Sequence, residues 1–84
     1  MGSLHEAPYG LLLERIRSAR RAADVTQAEL AGRLGADQSF VSKYERGERR
    51  LDVVELRAIC VALGLDFVGF LSAFEQALQD EGLA

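Results

Sequence analysis

Three times in the middle of the chain, a residue suited to opening a helix is followed by a glycine suited to closing one. Thr26 stands before Gly35, Asp37 before Gly47, and Asp52 before Gly64. Each interval holds about two to three helical turns. Thr26 and Glu29 have the spacing of a capping box, in which each side chain satisfies the other residue's free backbone N–H, and Asp52 with Glu55 repeats it. The glycines can take the left-handed conformation that ends a helix tightly. These marks predict a second helix reading to Leu34, a third from Gln38 to about Arg46, and a fourth with Leu56, Ile59, Cys60 and Leu63 on one face. Upstream, Leu12, Leu13, Ile16, Ala19 and Ala23 recur at helical spacing and predict a first helix from about Tyr9 to Ala23. Downstream, Asp66 opens a fifth, from Phe67 to about Leu78. No segment alternates as a strand would, so the expected fold class is all-α.

Eighty-four residues give room for one domain. A chain of this size buries only about 60% of its unfolded surface, so its core is modest. The expected division is a flexible N-terminus over 1–8, a domain over 9–79 whose last helix spans 66–79, and a tail over 80–84. With 49% apolar and 27% charged residues, the composition is that of an ordinary soluble globule. No apolar run nears the ~18 residues of a membrane span, and no signal-peptide pattern opens the chain. A cytoplasmic location and no membrane partner are therefore expected. The single cysteine, Cys60, precludes an internal disulfide and a cysteine-based zinc site, and reads as a small core residue. Cys60 and the one histidine, His5, lie far apart with no third group to orient them, so no catalytic residues, metal or cofactor are expected and the chain reads as a non-enzyme.

The net charge of −3 conceals a segregation. Between Glu14 and Arg50 nine basic residues face six acidic ones, whereas the rest of the chain holds one basic residue and seven acidic ones. That split points to one anion-facing surface on an acidic body, although charges that merely solvate helix faces leave the same trace.

Spacing within the second and third helices narrows the reading. Counted from Gln27, Ala31 is fifth, Gly35 ninth and Val41 fifteenth, with Leu30, Leu34 and Tyr44 on the same inward side. Two steeply crossing helices need a small residue at the crossing, a turn residue free of Cβ strain, and an apolar anchor on the second helix. The segment TQAELAGRLG-ADQSFVSKYERGER resembles the helix-turn-helix, here Gln27 to Arg46, of the Cro/phage-repressor (Xre-type) DNA-binding family, and the resemblance runs from Leu12 to about Leu65. It implies a five-helix, lambda-repressor-like domain with the third helix as recognition helix, its N-terminal half in the major groove. It further implies that Gln27 clamps the DNA backbone, and that Arg20 pairs with Glu45 to orient the recognition helix. A plain polar residue in the first turn is the alternative for Gln27.

The residues themselves fit this. At about 100° per residue, Gln38, Ser42, Arg46, Ser39 and Lys43 share an arc of about 140° that holds no acid. Gln38 can pair bidentately with adenine, Lys43 can donate to guanine acceptors, and Ser39 and Ser42 can reach bases or phosphates. Arg46, Arg49 and Arg50 read as phosphate contacts, with Arg17 a further candidate. Phe40 flanks the arc and suits either the core or a sugar or thymine methyl.

On the fifth helix Phe67, Phe70, Leu71, Phe74 and Leu78 form a continuous apolar stripe, more than a small core needs. Gly69, costly in a helix, suits close approach of another helix. The stripe is expected to serve as a homodimer interface. The expected function is sequence-specific binding of double-stranded DNA by a dimeric transcriptional regulator, a repressor at a pseudo-palindromic operator. The rival is a protein-interaction module, such as an antitoxin or helical adaptor, docking an unknown partner through the same helix.

Overall fold

In the computed structural model, which describes residues 3–83 in backbone and 6–83 in side chains, the capping residues and glycines bound the elements. Helices α1 (Ser3–Ala22), α2 (Gln27–Leu34), α3 (Gln38–Glu45), α4 (Val53–Ala62) and α5 (Phe67–Asp80) follow in order, with no strand among the described residues. Both capping boxes form. Thr26 Oγ1 accepts from Glu29 N at 3.0 Å while Thr26 N donates to Glu29 Oε1 at 2.8 Å. Asp52 and Glu55 repeat this at 2.8 and 2.9 Å. Gly35 takes φ 67°, which lets Ala36 N turn back onto Ala31 O at 2.9 Å and closes α2 within one residue.

Several local features depart from expectation. The backbone is already helical at Ser3 rather than from about Tyr9, with Pro8 inside α1. A proline there removes one hydrogen bond, to the carbonyl four residues back, and the remaining turns hold the segment. The expected 1–8 segment lies partly outside the described residues. At the other end of α1, Asp24 itself takes a left-handed φ of 59° and completes the turn into Val25. Aspartate is among the few side chains that tolerate this region. Asp37 has the backbone of an N-cap, but its carboxylate caps nothing. The Phe40 N–H it would receive bonds instead to Asp37's own carbonyl at 3.0 Å.

The core lies where α1, α2, α3 and α4 meet: Ile16, Val25, Leu30, Ala31, Val41, Tyr44, Leu56, Ile59, Cys60 and Leu63. Ala31 of α2 is buried in this core, as suits a small residue where two short helices approach. Phe40 half-buries against this core and meets Tyr44 edge-on, ring centroids 5.5 Å apart, so one part of its ring serves packing. No residue of α5 is fully buried. Phe67, Phe70 and Leu71 pack on the core, while Phe74 and Leu78 remain half-buried farther along. Gly69 meets its own helix cap: a Cβ there would lie 3.0 Å from Asp66 Oδ2, which accepts the Gly69 N–H.

Tyr44 is fully buried, yet its hydroxyl has no hydrogen-bond partner among the described residues. Burial pushes this phenol far above its ordinary range, so it keeps its proton and leaves a donor unmet. Removing the oxygen while keeping the ring discards that cost. Tyr44→Phe is expected to stabilise the fold by about 1 kcal/mol, raising Tm by about 4–8 °C in a calorimetric scan. A lowered Tm would mean that the hydroxyl is satisfied.

Candidate nucleic-acid interface

The orientation of α3 follows from what it buries. Val41, Tyr44 and Glu45 point into the body, whereas Gln38, Ser39, Lys43 and Arg46 are exposed and Ser42 is half-buried. The acid-free arc therefore faces outward, and the one acid of α3 is withdrawn from it.

That acid is the centre of a convergent set of donors. Arg20 of α1 grips Glu45 with both arms of its guanidinium, Nε to Oε2 at 2.7 Å and Nη2 to Oε1 at 3.0 Å. Its remaining nitrogen, Nη1, donates to the Val25 carbonyl at 2.8 Å. The two side chains are 10% and 1% exposed, so this is a buried, bidentate pair. Gln27, at the start of α2, donates its amide to Glu45 Oε1 at 2.9 Å. Arg17 adds a bond to the Glu45 carbonyl at 3.3 Å and a longer ionic contact of 3.7 Å to Oε1. One carboxylate thus ties α3 to both α1 and α2. Burial alone raises the Glu45 carboxyl, but hydrogen bonds from Arg20 and Gln27 and the two guanidinium charges outweigh it and hold the group below its ordinary value.

The other cations of the face are engaged in different ways. Arg46 forks onto Glu48 at 2.9 and 3.1 Å and donates to Ser42 Oγ. Arg49 pairs with Glu55 at 2.7 Å, and its guanidinium carbon lies 4.8 Å from the centroid of the Phe40 ring. Arg50 stacks over Tyr9 at 4.0 Å, and the Tyr9 hydroxyl accepts the Leu51 N–H at 3.0 Å. Lys43 is exposed and has no ion-pair partner among the described residues. Arg17, Glu45 and Arg46 line one shallow cleft. Gln27 is drawn into the buried network instead of lying free on the surface. Sequence reasoning gave Tyr9 and Glu48 no part in this face and read Glu55 only as the capping partner of Asp52. Only Glu48, two places after Arg46, left a trace of its pairing in the sequence.

Among the described residues no cluster of His, Cys, Asp and Glu could hold a metal ion, and no helix is long and apolar enough to cross a membrane.

The Glu45 network makes acid stability a readout of its geometry. Glu45→Gln leaves Arg20 buried without its charge partner, at a cost of about 3–5 kcal/mol at neutral pH. Because the native carboxyl lies below its ordinary value of 4.5, its contribution is whole above that value and fades as pH falls through the native one. Denaturant titrations of wild type and Glu45→Gln should begin to converge as pH falls below 4.5 and should meet only below the still lower native value. A gap independent of pH would place the stabilisation elsewhere.

Comparison with known proteins agrees with this architecture. A family model described as a helix-turn-helix domain matches residues 11–68. An uncharacterized transcriptional regulator in the ATPase CF(0) region of Rhodospirillum rubrum is 35% identical over 63 residues, which are 75% of this chain. The chain spans 58% of that relative's length. Among solved structures, an XRE-family like protein from Pseudomonas syringae pv. tomato str. DC3000 superposes with a TM-score of 0.85 at 49% identity, over 89% of this chain and 92% of its own. The clp gene regulator ClgR from Corynebacterium glutamicum superposes at 0.74 with 25% identity, over 89% and 80%. The chain belongs to the Xre-type family of DNA-binding helix-turn-helix domains.

Proposed function

We propose that the chain is a sequence-specific DNA-binding transcriptional regulator, acting in the cytoplasm as a homodimeric repressor of a pseudo-palindromic operator. The observation that carries this reading is the outward, acid-free arc of α3, braced from behind by the buried Arg20–Glu45 pair. A helix presented in this way fits the major groove of double-stranded DNA. Gln38 and Lys43 are then the base readers, with Ser39 and Ser42 adaptable to bases or phosphates. Arg17, Arg46, Arg49 and Arg50 flank the arc as phosphate contacts that fix register. Gln27 joins them through the N-terminus of α2, where backbone N–H groups and the helix dipole favour a phosphate. The relatives whose names describe regulators support the same reading.

The dimer would form through α5. Phe67, Phe70, Leu71, Phe74 and Leu78 are all only half-buried in the single chain. Beside them a groove of about 570 Å³ runs between α1 and α5, walled by small residues including Ala19, Ala22, Gly69 and Ala73. A second α5 stripe suits such a seat, and a twofold axis there would place two recognition helices about 34 Å apart in successive major grooves.

Selection of bound fragments from random duplexes should return two related half-sites in inverted orientation, about one helical turn apart. Against the selected sequence, Lys43→Ala and Gln38→Ala should each weaken binding by about 1–3 kcal/mol with helix content unchanged by circular dichroism. Unaltered affinity in both variants would remove the base-reading assignment. Phe74→Asp should yield monomers in sedimentation and lose the inverted-repeat preference; a variant that remains dimeric would move the interface off α5.

A further inference from the structure

The cation at the edge of the arc is occupied by a carboxylate of its own chain. Arg46 presents Nε and Nη2 to the two oxygens of Glu48 at 2.9 and 3.1 Å, the parallel two-bond geometry by which guanidinium also grips phosphate. Its third nitrogen, Nη1, donates to Ser42 Oγ, which turns the fork across the exposed end of α3. The backbone puts Glu48 there. Gly47 takes a left-handed φ of 79°, and Glu48 N then bonds back to the Lys43 carbonyl at 2.9 Å. The carboxylate consequently faces Arg46, whose two bonds and charge, with a smaller effect from the charge of Lys43, hold it below its ordinary range.

Three carboxylates hold arginines on this side of the molecule, and they differ in what else they do. Glu45 is buried and joins three helices. Glu55 closes the capping box of α4 as well as pairing with Arg49. Glu48 has neither role. Among the described residues it caps no helix and accepts no side-chain bond except from Arg46, and the two partners are 52% and 56% exposed. An exposed pair of this kind adds little to stability and opens readily.

We propose that Glu48 is a built-in competitor for the DNA backbone, holding the Arg46 fork that a phosphate takes in the complex. Binding at this corner is then an exchange of carboxylate for phosphate. This rests on the DNA-binding reading above. The exchange keeps Arg46 extended across α3 before DNA arrives and lowers the affinity for any duplex, because Arg46 must first be released from Glu48. In a protein whose phosphate contacts act on every sequence alike, such a brake limits unproductive binding.

The test uses the full chain and a fluorescein-labelled mixed-sequence duplex of about 30 base pairs, three helical turns, in about 50 mM salt. Wild type, Glu48→Gln, Arg46→Gln, the double variant and Glu81→Gln are titrated by fluorescence anisotropy. Glu81→Gln controls for the change in net charge, since it removes an acid beyond the end of α5. Glu48→Gln is expected to bind about fivefold more tightly than wild type, with Glu81→Gln showing a much smaller gain. In the Arg46→Gln background the Glu48→Gln gain should shrink to that of the control. A Glu48→Gln gain no larger than the control, or one that persists without Arg46, overturns the competitor role while wild-type binding keeps the DNA reading intact. No binding by any chain, wild type included, overturns both.

Discussion

A single buried carboxylate sets the geometry on which everything else in this molecule depends. Glu45 belongs to α3, yet its partners come from α1 and α2, and the Arg20 fork leaves it little freedom to rotate. Desolvating such a pair is expensive, so its value lies less in net stability than in allowing one seating of α3. Val41 and Tyr44 supply the apolar hold, but an apolar contact alone tolerates sliding and rotation. The directional bonds to Glu45 remove that tolerance. They also take the one acid of α3 away from the surface, so the outward arc carries amide, hydroxyl and cationic groups only.

Around that arc the positive charge is held under restraint. Arg17 leans on Glu45, Arg46 on Glu48, Arg49 on Glu55 and the Phe40 ring, and Arg50 on Tyr9. The guanidinium groups are thereby ordered in advance, and less rotamer freedom remains to be lost on meeting an anion. Lys43 and Arg50 have no ion-pair partner among the described residues, and of the two only Arg50 rests on an aromatic ring. The segregation of charge seen along the chain thus becomes, in three dimensions, a set of cations of which Arg17, Arg46 and Arg49 carry built-in counter-ions. An acidic protein can in this way carry an anion-facing surface without spreading positive potential over its whole body.

How much of this was legible depends on whether the signal is local. The capping boxes at Thr26 and Asp52 and the turn at Gly35 are short-range devices, and the residues alone located them. The same logic failed at Asp37, because a backbone carbonyl took the N–H meant for its side chain. Apolar spacing also started α1 too late, at about Tyr9, because the turns before it carry no such repeat, yet the backbone is helical from Ser3 with Pro8 inside it. Asp24 gave no warning of its left-handed φ, which glycine usually marks. On the candidate face, helical periodicity sufficed to group Gln38, Ser39, Ser42, Lys43 and Arg46. The pairing of Arg20 with Glu45 spans distant positions and was reached only through family resemblance. The stacking of Arg50 on Tyr9 joins residues just as remote, and no periodicity carries that information. The division of the α5 stripe between Phe67, Phe70 and Leu71 on the core and Phe74 and Leu78 beyond it likewise needed the packed helices.

The central claim is that the outward face of α3, fixed from behind through Glu45, is the surface that meets DNA. Amide chemical-shift mapping by nuclear magnetic resonance, with a duplex carrying the selected operator, tests it residue by residue. The largest shifts are expected at the start of α2, along Gln38–Lys43 of α3, and in the Arg46–Arg50 turn, with the interior of α4 unmoved. Shifts confined to α5 and α1, with Gln38–Lys43 undisturbed, would contradict it.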